Sequence, residues 1–328
     1  MIRFSRIALT VAMAFFSVAV MAAEVTIQIG YENHPGEPLD LGCNEWKRLI
    51  EEESNGDIRV ELYPSSQLGS KNDIIDQMLA GDSVITLADG AFYADRGVPD
   101  FNILFAPYLF NTWDDCWNLI KSDWYKEQCA KLEQRGLKIL TSNWIYGDRH
   151  TLTTKPVRTV GDIVGMKIRV PNNAIQIAGF EVLGASPTPI ALGEVYTALQ
   201  QGVVDGLENP IPVLYNGKFQ EVAKYLTLDG HVKNFTTFLC GTQFFETLTP
   251  DQQRIIMESA DKAGLFNNDI VLKATDELTQ RFKDEGVEVI EVDVEEFKKK
   301  AMPLYTDPIV TAKWTPGLYE TVTKAMGK

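Results

Sequence analysis

One arginine in this sequence stands where a ligand carboxylate could be gripped. Arg169 closes the run Met166-Lys167-Ile168-Arg169-Val170 within "GMKIRVPNN". A guanidinium is planar, permanently charged and forked, so it can hold a carboxylate through two parallel bonds. On the residues alone, the rival reading is a surface arginine paired with a protein carboxylate. Patterns for catalysis are missing. His34, His150 and His231 stand apart in the sequence, with no HExxH or triad-like context. There is no P-loop, no GxSxG and no GxGxxG, and the glycines of "GDIVG" and "QGVVDG" lack a phosphate-cradling pattern. The residues describe a protein that binds, with an exported enzyme as the alternative.

The elements around Arg169 follow from periodicity. Met166, Ile168 and Val170 alternate with Lys167 and Arg169, the period of a half-buried strand. Pro171 stops that strand, and Asn173 takes the N-cap position of a helix over Ala174 to Leu183. In α/β folds, the carboxyl end of a strand is where ligands are met. The same alternation runs through the chain. "VTIQIG" reads as a strand, Leu39 to Ile50 as a helix, Ile58 to Tyr63 as a strand, Asn72 to Ala80 as a helix and "SVITLA" as a buried strand. A helical pair around Trp113 to Arg135 and the strand "LKILTSNW" follow. Such an order specifies α/β architecture with a mostly parallel sheet covered by helices. Thr249-Pro250-Asp251-Gln252 opens a helix whose apolar spacing continues to Gly286. Roughly 50 Å long at 1.5 Å per residue, it exceeds one small domain and most simply bridges two.

The first 23 residues combine Arg3 and Arg6, the apolar run Ile7 to Val20 and the small pair Ala22-Ala23. They read as a cleaved secretory signal that sends the mature chain to a Gram-negative periplasm. The formal charge is −14, from 31 basic and 45 acidic residues. That balance argues against nucleic acid and anionic lipid as partners. It also requires any anionic ligand to meet a local positive group. Four cysteines show no CxxC or zinc-type spacing, and no metal or cofactor is expected. Cys116 and Cys129 flank a turn-like Lys121-Ser122-Asp123, and a disulfide between them is an expectation for an oxidising compartment.

Three blocks carry a family resemblance: "ELYPSSQLG" (61–69), "MKIRVPNN" (166–173) and "GASPTPIALGEVYTALQQGVVDGLENP" (184–210). Together they resemble the solute-binding proteins of TRAP transporters, and the resemblance spans essentially the whole mature chain. It implies a monomeric periplasmic receptor that captures an organic acid for a membrane permease driven by an ion gradient. It implies a two-domain fold with a hinged cleft, 24–146 plus 235–274 forming one domain and 147–234 plus 275–328 the other. Arg169 then corresponds to the arginine that salt-bridges the substrate carboxylate. Arg149, in "YGDRHTLT", corresponds to an arginine that supports it, and Asn209, in "LENP", to an asparagine that hydrogen-bonds it. Asn172 lies at the same helix entry.

The departures from the pattern concern the rest of the pocket. Phe92 stands where sialic-acid-binding members carry an arginine, Leu192 replaces a usual aromatic, and Tyr146 replaces a common asparagine. With Tyr93 and Trp144 counted in, polar groups are expected to give way to rings, so an aromatic or otherwise apolar monocarboxylate is favoured. A sugar acid or a C4-dicarboxylate is the alternative. Asp89 is expected to face the cleft, where it could meet an α-amino group.

Overall fold

Two strands of 17 residues each, β4 (Leu137–Thr153) and β8 (Tyr225–Gly241), run side by side through the whole molecule. The computed structural model describes residues 25–328, and the leader expected at 1–23 lies outside them. At about 3.3 Å per residue, such strands span more than one lobe. Around their antiparallel pair the other strands divide into two groups. On one side lie β1 (Val25–Gly30), β2 (Ile58–Tyr63) and β3 (Val84–Ala88); on the other lie β5 (Lys167–Val170), β6 (Ser186–Pro189) and β7 (Gly206–Pro210). The order is β2-β1-β3-β8-β4-β7-β5-β6, and β9 (Glu288–Glu291) pairs with β8.

The pairs β1–β2, β1–β3, β5–β6, β5–β7 and β8–β9 are parallel, as the strand–helix alternation requires. The pairs made by β4 with β7 and by β8 with β3 and β4 are antiparallel. Sequence periodicity does not announce that mixture, because β4 and β8 enter the sheet from opposite directions without a hairpin between them. Their register shifts at four places between Ile139 and Thr151. There the sheet bends from one lobe to the other. Gly147 sits at one shift with φ +133°, and a Cβ on it would stand 2.8 Å from Cβ of Pro210.

The helix Pro250–Asp284 is 35 residues long and lies across both lobes. Its capping box is complete: Thr249 Oγ1 accepts from Gln252 N, and Gln252 Oε1 accepts from Thr249 N at 2.9 Å. The first half packs on the helix Pro38–Glu53, where Trp46 Nε1 donates to Ile256 O at 3.1 Å. The far half reaches the helix Ile211–Asn216, with Tyr215 edge-on to Phe282 at 5.3 Å. Gly264 gives way to Asn143 and Trp144, where no Cβ fits. Its loss of helix propensity is therefore matched by close packing.

The chain end returns across the molecule. Val294–Ala301 packs on the helix Ala174–Leu183, and Leu318–Ala325 rests on Trp113–Lys121 of the other lobe. Thr315 Oγ1 donates to Asp100 at 2.7 Å, and Lys328 pairs with Asp115 at 2.7 Å.

The expected Cys116–Cys129 disulfide is corrected: all four cysteines are free. The two helices aim them differently. Cys116 is buried near Lys233 and Asp148, and Cys129 lies toward Tyr125 and Lys138. Burial pushes the Cys129 thiol up to about 12, so little of it is the reactive thiolate.

Candidate functional site: a carboxylate cavity between the lobes

The carboxyl ends of parallel strands from both lobes converge on one cavity. Glu32 follows β1, Asp89 follows β3, Arg169 stands near the end of β5, and Asn209 near the end of β7. Arg149 and Asn209 come from neighbouring strands, with Arg149 opposite Pro210 and His150 opposite Asn209. Phe92, Tyr146, Pro171, Leu192 and Lys71 complete a narrow cavity with room for about one water molecule. It adjoins an outer chamber of about 320 Å³ that shares Glu32, Lys71, Phe92, Arg169 and Pro171.

The two arginines differ in kind. Arg169 is 2% exposed; its Nε donates to Ile190 O at 2.7 Å, and its Nη1 is buried without a partner. Burial without an anion lowers its pKa to about 10, although Glu208 and Glu32 pull the other way. Such a group is costly until an anion enters. Arg149, 3% exposed, is already paired with a protein carboxylate. Its Nη2 meets Glu208 Oε1 at 2.6 Å, its Nε meets Oε2 at 2.5 Å, and its Nη1 donates to Asn234 Oδ1 at 3.1 Å.

A buried charge chain holds Glu208 in turn. His231 stands 3.2 Å from Glu208 through Nε2 and 3.2 Å from Asp229 through Nδ1. Gln176 Nε2 donates to Glu208 at 3.2 Å, and Thr151 Oγ1 to Asp229 at 2.7 Å. Burial disfavours the His231 cation, but Asp229 and Glu208 on either side outweigh it and lift its pKa to about 9. Burial likewise opposes ionisation of Glu208, and Arg149 and His231 outweigh it, holding that carboxyl at about 2. The result is an alternating series of charges, Arg149, Glu208, His231 and Asp229, inside the sheet junction. Arg149 is thereby fixed in place, whereas Arg169 has no paired carboxylate among the described residues and keeps an unpartnered Nη1.

The remaining expected residues divide. Asp89 lines the cavity and accepts from Asn234 Nδ2 at 2.9 Å. Leu192, Phe92 and Tyr146 also line it, and the Tyr146 hydroxyl accepts from Asn33 at 3.2 Å. Asn172 is exposed on the outer chamber, and the N-cap contact is made by Asn173, whose Oδ1 accepts from Gln176 N at 3.1 Å. Two residues are corrected. Trp144 is fully buried under the long helix, its Nε1 bonded to Ala260 O at 3.0 Å and its ring against Phe238. Tyr93 is fully buried edge-on to Phe101 at 4.6 Å. Both are core residues, where large rings gain most from burial.

Lys71 and Glu208 escaped the sequence reading. Lys71 directly follows Ser70, the N-cap of the helix Lys71–Ala80, at the end of the "ELYPSSQLG" block. It is 5% exposed, 3.5 Å from Glu32 and 4.5 Å over the ring of Phe92. No spacing in the sequence ties it to Arg169. Glu208 is the neighbour of Asn209 in "LENP".

Comparison with known proteins identifies the family. The family model for bacterial extracellular solute-binding protein, family 7 (DctP), matches residues 29–310. The sialic acid-binding periplasmic protein SiaP of Vibrio cholerae is 31% identical, over 91% of this chain and 93% of its own. A TRAP periplasmic solute-binding protein from Ochrobacterium anthropi, solved with bound L-fuconate, is 44% identical with a TM-score of 0.90, covering 93% of this chain and 100% of that one. Another, from Actinobacillus succinogenes 130z with bound L-galactonate, is 37% identical with a TM-score of 0.88, covering 92% and 99%. This chain belongs to the bacterial extracellular solute-binding protein family 7, the solute-binding receptors of TRAP transporters, and is a receptor and not an enzyme.

Proposed function

We propose that this receptor captures a sugar acid of the aldonate type in the periplasm and hands it to its TRAP permease as a monomer. The observation that carries the reading is Arg169, a buried guanidinium whose Nη1 has no partner and which lines a cavity otherwise rich in polar groups. A ligand carboxylate would supply the missing anion. Asn209 would add an amide hydrogen bond, and Arg149, held by Glu208, would contribute its fixed charge nearby. Asn172 would act at the rim. Glu32, Lys71 and Asp89 offer charged partners for hydroxyls, whereas an apolar body would leave them without compensation.

The relatives support the same direction, because the proteins solved with L-fuconate and L-galactonate share 44% and 37% of their residues with this chain. The aromatic-acid reading loses two of its rings, Trp144 and Tyr93, to the core. Phe92 is left partly beneath an ammonium group. In this reading the two lobes are 24–146 plus 235–274 and 147–234 plus 275–328, with Leu318–Ala325 of the second resting on the first. Export through a cleaved leader at 1–23 completes the reading.

Titration calorimetry with L-fuconate, L-galactonate, phenylpyruvate and succinate tests it. One or both sugar acids should bind at micromolar or lower Kd without turnover. Micromolar binding of phenylpyruvate or succinate, with neither sugar acid bound, would overturn it.

A further inference from the structure

We propose that Lys71 and Glu32 form the specificity element of the pocket, reading hydroxyls on the carbons beyond the carboxylate; the inference rests on the sugar-acid reading above. Both residues line the inner cavity and the outer chamber together with Arg169. Their side chains are 6% and 13% exposed. A buried ammonium and a half-buried carboxylate should close to a short, charge-assisted bond when nothing else is present to satisfy them. Here they stand 3.5 Å apart, beyond the usual range for such a bond.

What keeps Lys71 in place is independent of Glu32. Its backbone is fixed at the start of a helix by the Ser70–Asp73 capping box, in which Ser70 N donates to Asp73 Oδ2 at 2.8 Å. Its ammonium lies over the Phe92 ring at 4.5 Å, a cation–π contact that offers attraction without consuming a donor. Phe92 thus supports a cation that comes from another element.

A donor and an acceptor so spaced suit a hydroxyl. The hydroxyl oxygen accepts from the Lys71 ammonium while its hydrogen is donated to Glu32. A flat apolar body cannot do either and would leave both charges desolvated. An α-ammonium would be attracted by Glu32 but repelled by Lys71. Glu32 is also close enough to Arg169 for the two charges to act on one another. A hydroxylated chain whose carboxylate is on Arg169 therefore passes these two groups. Selection against ligands without hydroxyls follows, since a site built to bond them is left with unpaired buried groups.

The test is calorimetry of wild type, Lys71→Met and Lys71→Met/Glu32→Gln against L-galactonate, D-erythronate and D-glycerate, with thermal unfolding of each protein. The double variant removes both charges, so a folding defect caused by an unpaired Glu32 is separated from a ligand effect. In both variants the affinity for L-galactonate should fall about 10- to 100-fold, the range for bonds to charged groups. The loss should shrink along the series and be smallest for glycerate. Equal fold-losses for all three acids, or no loss in a folded variant, would overturn the assignment while leaving the sugar-acid reading in place. A wild-type protein that binds none of the acids would overturn both.

Discussion

Arg149 and Glu208 meet edge to edge, Nη2 to Oε1 at 2.6 Å and Nε to Oε2 at 2.5 Å, inside the junction of the two lobes. That bond separates two arginines which the sequence could only place side by side in function. Arg149 is neutralised by the protein and held still. Arg169, reaching the same cavity from β5, donates through Nε to Ile190 O and keeps an unpartnered Nη1. On the proposed reading, a ligand anion is the missing partner.

The first prediction concerns that asymmetry. Arg169→Met should lower ligand affinity by about 2–5 kcal/mol, the cost of stranding a buried carboxylate. Without ligand, its thermal midpoint should equal or exceed that of wild type, because a desolvated, unpaired cation has been removed. Arg169→Lys should also bind poorly, since an ammonium lacks the planar fork. Calorimetry and thermal unfolding on the same samples decide it. Wild-type affinity in Arg169→Met ends the clamp assignment.

Removing Glu208 should have the opposite effect on stability. Glu208→Gln leaves Arg149 and His231 buried with one carboxylate fewer between them, and breaking a buried pair from one side costs about 3–5 kcal/mol. Chemical denaturation of ligand-free Glu208→Gln and Arg169→Met should therefore show a clear loss in the first and none in the second. Equal stability of the two would contradict the division of roles between the arginines.

A pH dependence follows from the same network. His231 is lifted to about 9 from its ordinary 6.5, so its contribution to stability is full below pH 6.5 and is lost as pH rises toward 9. Glu208 is held at about 2 from its ordinary 4.5, so its contribution is full above pH 4.5 and is lost as pH falls toward 2. Denaturation free energy should be highest between these limits and should fall by a few kcal/mol on the alkaline side. In His231→Gln the fall between pH 6.5 and 9 should be absent. A variant that keeps the wild-type alkaline slope would assign the slope to other groups.

Much of this architecture was legible in the chain. The Thr249-Pro250 start, the strand around Arg169 and the Asn173 cap are local patterns, and local chemistry fixes them. What periodicity could not supply was the direction in which rings point. Trp144 and Tyr146 are two apart on β4, and in a regular strand they would share a face. Both are buried in the same core, and Tyr146 alone also reaches the cavity wall, a difference that no alternation pattern announces. Lys71 was invisible for a related reason: it reaches the site from a loop–helix entry, and no spacing within the sequence links residue 71 to residue 169. The antiparallel pairing of β4 and β8 is likewise a long-range fact, set by residues about 90 positions apart that no local pattern joins.

The last prediction concerns the bend itself. Gly147 lies at a register shift between the lobes with φ +133°, a conformation that residues with a Cβ rarely adopt. A methyl group there would also press on Cβ of Pro210 at 2.8 Å, and Pro210 is the neighbour of Asn209 in the cavity wall. Gly147→Ala should therefore cost about 1–3 kcal/mol in stability from backbone strain. It should also weaken ligand binding, although residue 147 does not line the cavity. In wild type, saturating ligand should reduce the radius of gyration as the lobes close about this junction. Scattering curves with and without ligand, recorded for both proteins beside calorimetry, provide the check. Identical wild-type curves would remove the hinge, and unchanged affinity in a Gly147→Ala protein of normal stability would remove glycine's part in it.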